Sequence, residues 1–293
     1  MWYWYPLAAA AFLTNATIPA LIHVSRASKT LIGLLRLAIA TSILTPFVWS
    51  HLSQLSGAEW WQLIRLGVWF GFHWECYNWA AKYRIGSMTE GTGSPAGAAV
   101  GFSTFAVFAV IVNSIAQRTL PSLGDTLGMG LGMVGALMFF PRPSAAASDH
   151  DRAVRGAFLI GAGGAFFFAL VSNNHSMSSL DWPVRMWGQF LFAMPWFVFQ
   201  VIRAPQQFNV QDCSGRDWLE LTLFVSILCT LGSHSTVAIA SKELGPPAVG
   251  MIGLLFVPAS MIASVRCAGE SITPRMIRGA TIIVLANLVA IVS

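Results

Sequence analysis

PRPSAAASDHDR, residues 141–152, is the most polar and least patterned segment of the chain. Its proline, serine and aspartate content reads as a linker, and it separates two sets of apolar runs. Upstream, runs long enough to cross a bilayer occur at roughly 5–24, 31–50, 59–80, 87–115 and 122–140. Downstream they occur at roughly 153–173, 182–202, 217–240, 246–266 and 272–292. A helical span needs about 20 apolar residues. The pattern therefore predicts an all-α membrane protein with ten transmembrane helices in two five-helix repeats, residues 1–140 and 153–293.

Composition points the same way. Of the 293 residues, 55% are hydrophobic and 10% charged, against about 25% charged in an ordinary soluble domain. Mean hydropathy is +0.64. Ten spans with short loops leave no room for a soluble domain, and the expected surroundings are a lipid bilayer. The net charge of +5 comes from Lys and Arg scattered singly through short loops, which reads as interfacial and topological charge and argues against a nucleic-acid partner. Cys76, Cys213, Cys229 and Cys267 lie far apart with no C-x-x-C and no Cys/His cluster at metal spacing, so neither a disulfide frame, a metal nor a cofactor is expected. The opening MWYWYPLAAAAFLTN lacks the basic region of a secretory signal and reads as a retained first span.

An odd number of spans per repeat means that the repeats enter the membrane in opposite directions, the inverted arrangement of many transporters. Matching features support it. The third span of each set carries Gly-x-His and then a lysine: Gly71, His73 and Lys82 in one, Gly232, His234 and Lys242 in the other. Each of those spans also begins with an acid beside tryptophan, Glu59–Trp60 and Asp217–Trp218. The fourth spans are both interrupted, one by Gly91, Gly93, Pro95, Gly97 and Gly101, the other by Gly245, Pro246, Pro247, Gly250, Gly253 and Pro258. Interrupted spans at corresponding places point to a transport site, while Gly93, Gly97 and Gly101, and Gly124, Gly128 and Gly132, also suit close helix packing.

Gly269, Glu270, Ile272, Thr273 and Pro274, followed by an apolar run with Gly279, resemble the turn between the ninth and tenth helices of the drug/metabolite transporter superfamily, EamA-like branch. LIGLLRLAIATSIL, residues 31–44, is similar to that family's second helix, and GFHWECYNWAAKY, residues 71–83, to its third. The first half departs from the pattern at Gln117 and Arg118, where the family repeats Gly-Glu. The resemblance implies a secondary transporter of the cell membrane, most often an exporter of amino acids or related metabolites, with both termini cytoplasmic. The Lys/Arg-rich loops after the odd-numbered spans imply the reverse orientation.

Ionisable and polar residues within spans are candidates for the site. His73 and His234, at matched places, read as a pair near a midplane substrate. Both titrate near neutrality, which makes a proton the candidate coupling ion. The bland alternative is a pair of buried neutral imidazoles. Glu75, Asn78 and Trp79 share one helical turn and would offer a carboxylate, an amide and a ring to an amino-bearing solute. The alternative for Glu75 is an ion pair with Arg36 or Arg65. Asn15 in the first span and Asn173 in the sixth are equivalent polar positions, and Glu90 begins the fourth span. Glu270 reads as a helix-start charge near the last span's N-terminus. No G-x-x-x-x-G-K-[ST] loop and no H-E-x-x-H are present, which disfavours nucleotide-driven transport and a metallohydrolase. His175–Ser176 is expected in a loop. The function expected is alternating-access transport of small metabolites; a lipid-handling or non-transporting sensor role is the alternative.

Overall fold

The computed structural model describes residues 2–81, 95–138, 149–205, 213–269 and 273–292. Lys82, Glu90 and Glu270 lie outside them. Among the described residues every regular element is helical. Six helical stretches are long and apolar enough to cross a membrane: Trp4–Val24, Lys29–Leu52, Pro95–Gln117, Arg152–Met177, Gly215–Glu243 and Pro246–Ala268. The chain is thus a multi-pass membrane protein. Trp49, Trp61, Ile115, Leu120 and Ile202 point outward, as lipid-facing side chains do and as those of a soluble monomer rarely do over so wide an area.

Several of these stretches are broken. The first divides into α1 (Trp4–Asn15) and α2 (Ile18–Val24), with Pro19 in the first turn of α2. Then come α3 (Lys29–Leu52) and α4 (Gly57–Ala81). The next stretch divides into α5 (Pro95–Ser103) and α6 (Phe105–Gln117). Ser103 and Thr104 donate their hydroxyls to the carbonyls of Val100 and Gly101, at 2.6 and 2.7 Å, and so compete with the helix's own donors at the break. After α7 (Leu123–Leu137), α8 (Asp149–Met177) and α9 (Trp182–Arg203) comes α10 (Gly215–Leu219). A π-helical stretch, Glu220–Ser233, leads from α10 into α11 (His234–Glu243).

α12 (Pro246–Gly253) and α13 (Phe256–Ala268) form a third broken pair, and α14 (Pro274–Val292) follows. Pro258 has no N–H for the Leu254 carbonyl, which instead accepts from the Val257 N–H at 3.2 Å. The tighter turn separates α12 from α13.

Helix ends follow from local chemistry. Ser56 and Glu59 begin α4 with reciprocal bonds, and Ser214 and Asp217 form a capping box at α10. α6 ends in left-handed Arg118, φ 54°, and α13 in left-handed Gly269, φ 69°. Arg118 therefore adopts, at a steric cost glycine avoids, the same conformation as Gly269. Ser122 and Thr273 then cap α7 and α14.

The helices pack closely. A Cβ on Gly161 of α8 would stand 2.7 Å from the Ala98 carbonyl of α5, so these two backbones touch, the use of small residues expected between membrane helices. The sequence expectation for His175 is corrected. α8 continues through Met177 and buries His175 against α9, where its Nε2 meets the Gln189 amide oxygen at 2.9 Å. Polar partners across the interface let the helix run past the end of its apolar stretch.

Candidate functional site

Where α1, α2, α3, α4, α5, α8, α11 and α13 converge, Phe12, Asn15, Ile18, Arg36, His73, Trp74, Tyr77, Phe102, Phe168, His234 and Phe256 enclose a small cavity. Its free space, about 20 Å³ for a water's centre, admits a single water. Among the described residues no acidic side chain lines it. Five of its walls are phenylalanine or tryptophan; Phe102 lies tilted against Phe256 and Phe168, 5.1 and 5.6 Å centre to centre.

Arg36 is the only charged residue of that lining and is 1% exposed. Its guanidinium lies 3.4 Å above the Trp74 ring, a cation–π stack, and its Nε donates to Thr230 Oγ1 at 2.8 Å. Its Nη1 is buried without a partner among the described residues. The π-helical register presents Thr230: that hydroxyl donates to the carbonyl five residues back, Val225, at 2.6 Å, as Ser226 does to Leu221 at 2.5 Å. π-helical turns recur at functional sites.

The histidines meet here. The rings of His73 and His234 are 6.4 Å apart, nearly edge to face, and both are buried. His73 Nδ1 donates to the Gly164 carbonyl at 2.9 Å, which fixes the tautomer and leaves Nε2 for other partners. His234 abuts Phe70, Trp74 and Phe168. Asn15 joins them: its Nδ2 donates to Ser233 Oγ at 2.7 Å, and Ser233 donates to the Ala11 carbonyl at 2.8 Å. The Asn15 Oδ1 and the Tyr77 hydroxyl, like Arg36 Nη1, are buried and unpartnered among the described residues.

Glu75, Asn78 and Trp79 lie elsewhere. Two residues on from His73, Glu75 points to another face of α4, where the Lys29 ammonium pairs with its Oε1 and Gln200 donates to its Oε2 at 2.8 Å. Thr30 in turn donates to Gln200 at 3.1 Å. Asn78 Nδ2 reaches the Lys29 carbonyl at 3.5 Å, and Lys29 lies 5.4 Å from the Trp79 ring centre. The carboxylate, amide and ring expected to receive a solute's amine thus surround the chain's own lysine. The ion-pair alternative is also corrected in its partner, which is Lys29 rather than Arg36 or Arg65.

Asn173 stays on α8, where it donates to Met177 Sδ at 3.4 Å, away from the cavity. A further polar layer lies toward the start of α4, where Gln62 and Arg65 approach Asn174 and Arg185 Nη1 donates to the His175 carbonyl at 2.6 Å. In the sequence Arg36 stands out only within the family-like second span and as a candidate partner of Glu75. The signal it offered was a lone charge in mid-span without an acid on the same helix.

No family model matches this chain, and no curated protein matches it. Among solved structures, one described as "Crystal structure of protein" is similar with a TM-score of 0.66 and 15% identity, over 99% of this chain and 98% of that one. Such a likeness shows a shared fold.

Proposed function

We propose that the chain is a secondary carrier of the EamA-like drug/metabolite transporter kind, a cell-membrane exporter of amino acids or related amphipathic metabolites working by alternating access. The observation that carries this reading is a buried cavity lined by Arg36, Asn15 and Tyr77, whose Nη1, Oδ1 and hydroxyl are unpartnered among the described residues, since buried polar groups are otherwise almost always satisfied. Ten spans in two inverted repeats fit the packing. α7 lies on α14 and α3 on α9, each pair joining equivalent spans, while α6 on α12 is matched by α13 on α5 and α4 on α8 by α1 on α11. The equivalent breaks, α5/α6 and α12/α13, carry Phe102 and Phe256 beside the cavity, where small changes of helix direction would open it. His73 and His234 offer a proton a place near the solute.

Counterflow in proteoliposomes tests this. Vesicles loaded with unlabelled amino acids, amines, nucleosides or sugar phosphates should accumulate a labelled trace of one class, and a His73→Ala/His234→Ala protein should not. Absence of accumulation with every class, in vesicles holding folded protein in both orientations, would count against a carrier.

The lipid-handling alternative has one observation in its favour. An apolar groove of about 320 Å³ runs between α4 and α9, lined by Gly67, Val68, Phe72, Phe192, Trp196 and Phe199 among others, and its form suits an acyl chain.

A further inference from the structure

An arginine in a dry interior is costly unless an opposite charge and full hydrogen bonding offset it. Arg36 has neither in full. One nitrogen serves Thr230, one face serves Trp74, and Nη1 has no partner among the described residues. Lys29, by contrast, has Glu75. The lining thus sets a cation beside no carboxylate of its own, and the guanidinium, with Nη1 still to be met, is planar, a geometry suited to the two oxygens of a carboxylate. Chloride would use the charge without the fork. A phosphate dianion would bring a second charge that no other cation of the lining meets.

The remaining orphans add detail. The Tyr77 hydroxyl is a second unused group on the same lining, and Asn15 Oδ1 is an acceptor awaiting a donor such as an ammonium or hydroxyl. Phe12, Phe102, Phe168 and Phe256 supply an apolar, aromatic wall.

We propose that this cavity is the binding site for a small monocarboxylate with an apolar, preferably aromatic, body, its carboxylate held by the fork of Arg36. The identification rests on the carrier reading for its use, but its chemistry stands on the lining alone. Entry requires the walls to part, because the closed cavity holds only about 20 Å³. Phe102 stands just before the α5/α6 break and Phe256 just after the α12/α13 break, so the walls sit where the helices are already divided.

The test is equilibrium dialysis of the purified full chain in detergent, with radiolabelled phenylacetate and L-phenylalanine as probes. At least one acid should bind saturably, and unlabelled acid should displace it at concentrations where phenylacetamide, phenethylamine and chloride do not. Arg36→Gln should weaken binding at least thirtyfold with its thermal unfolding midpoint retained. Should Arg36→Gln fail to fold, Arg36→Lys, which keeps the charge and loses the fork, should weaken binding about tenfold, and Tyr77→Phe a fewfold. Binding of neither acid to folded protein overturns the proposal. So does displacement by the amide or amine as readily as by the acid, or unchanged affinity in a folded Arg36 variant. Acid binding without counterflow would uphold the site and remove the carrier reading. Counterflow of only neutral or cationic solutes, with no acid binding, would do the reverse.

Discussion

Two charged regions share α3 and α4 and differ in how their charges are met. Lys29 and Arg36 stand seven residues apart on α3, on nearly one face and about 10 Å apart in level. Lys29 is enclosed by Glu75, Gln200 through that carboxylate, and Trp79. Arg36 is more deeply buried and has no carboxylate among the described residues. A charge already satisfied by its own chain contributes to the fold, whereas one left wanting is directed at something else. The difference separates two roles that a list of intramembrane charges would merge.

The comparison is sharpest in stability. Glu75→Ala strands the Lys29 ammonium in a half-buried place, and since breaking a fully buried pair costs 3–5 kcal/mol, a loss of about 2 kcal/mol is expected here. A lowered thermal midpoint would show it, and a double-mutant cycle through Lys29→Ala/Glu75→Ala would return a coupling of zero only if the pair is idle. Gln200→Leu removes the donor to Glu75 and the acceptor for Thr30, and should cost about 1 kcal/mol by the same denaturation. Arg36→Met, by contrast, replaces an uncompensated charge with an apolar side chain of similar length. Its folding free energy should stay within about 1 kcal/mol of wild type or rise, while solute counterflow is abolished. If Arg36→Met unfolds as readily as Glu75→Ala, the contrast fails and Arg36 is a structural post. Smallest is Tyr77→Phe, which removes an unbonded hydroxyl and should leave stability within about 0.5 kcal/mol.

Much of this architecture is readable from hydropathy. Runs predicted at 31–50 and 182–202 form Lys29–Leu52 and Trp182–Arg203, because length and apolarity alone fix such helices. Breaks beside Pro19 and Pro258 follow from the missing donor. The break at Ser103–Thr104 is less legible, since hydroxyls bond back to the helix in only some contexts. Meeting of His73 with His234 was signalled by their matched positions. The choice of Lys29 over Arg36 for Glu75 was not, because it depends on how far α3 slides along α4, which no local pattern encodes. Nor does sequence announce the π register of Glu220–Ser233, which turns Thr230 toward Arg36.

The unmet charge of Arg36 also bears on the membrane's voltage. Moving one elementary charge through 100 mV takes about 2.3 kcal/mol. With its centre empty, the protein carries a net positive charge in that place; holding a monoanion, it carries none. The loaded form would then change its facing with little regard to the membrane potential, and the return of the empty form would be the step that the potential hastens or delays.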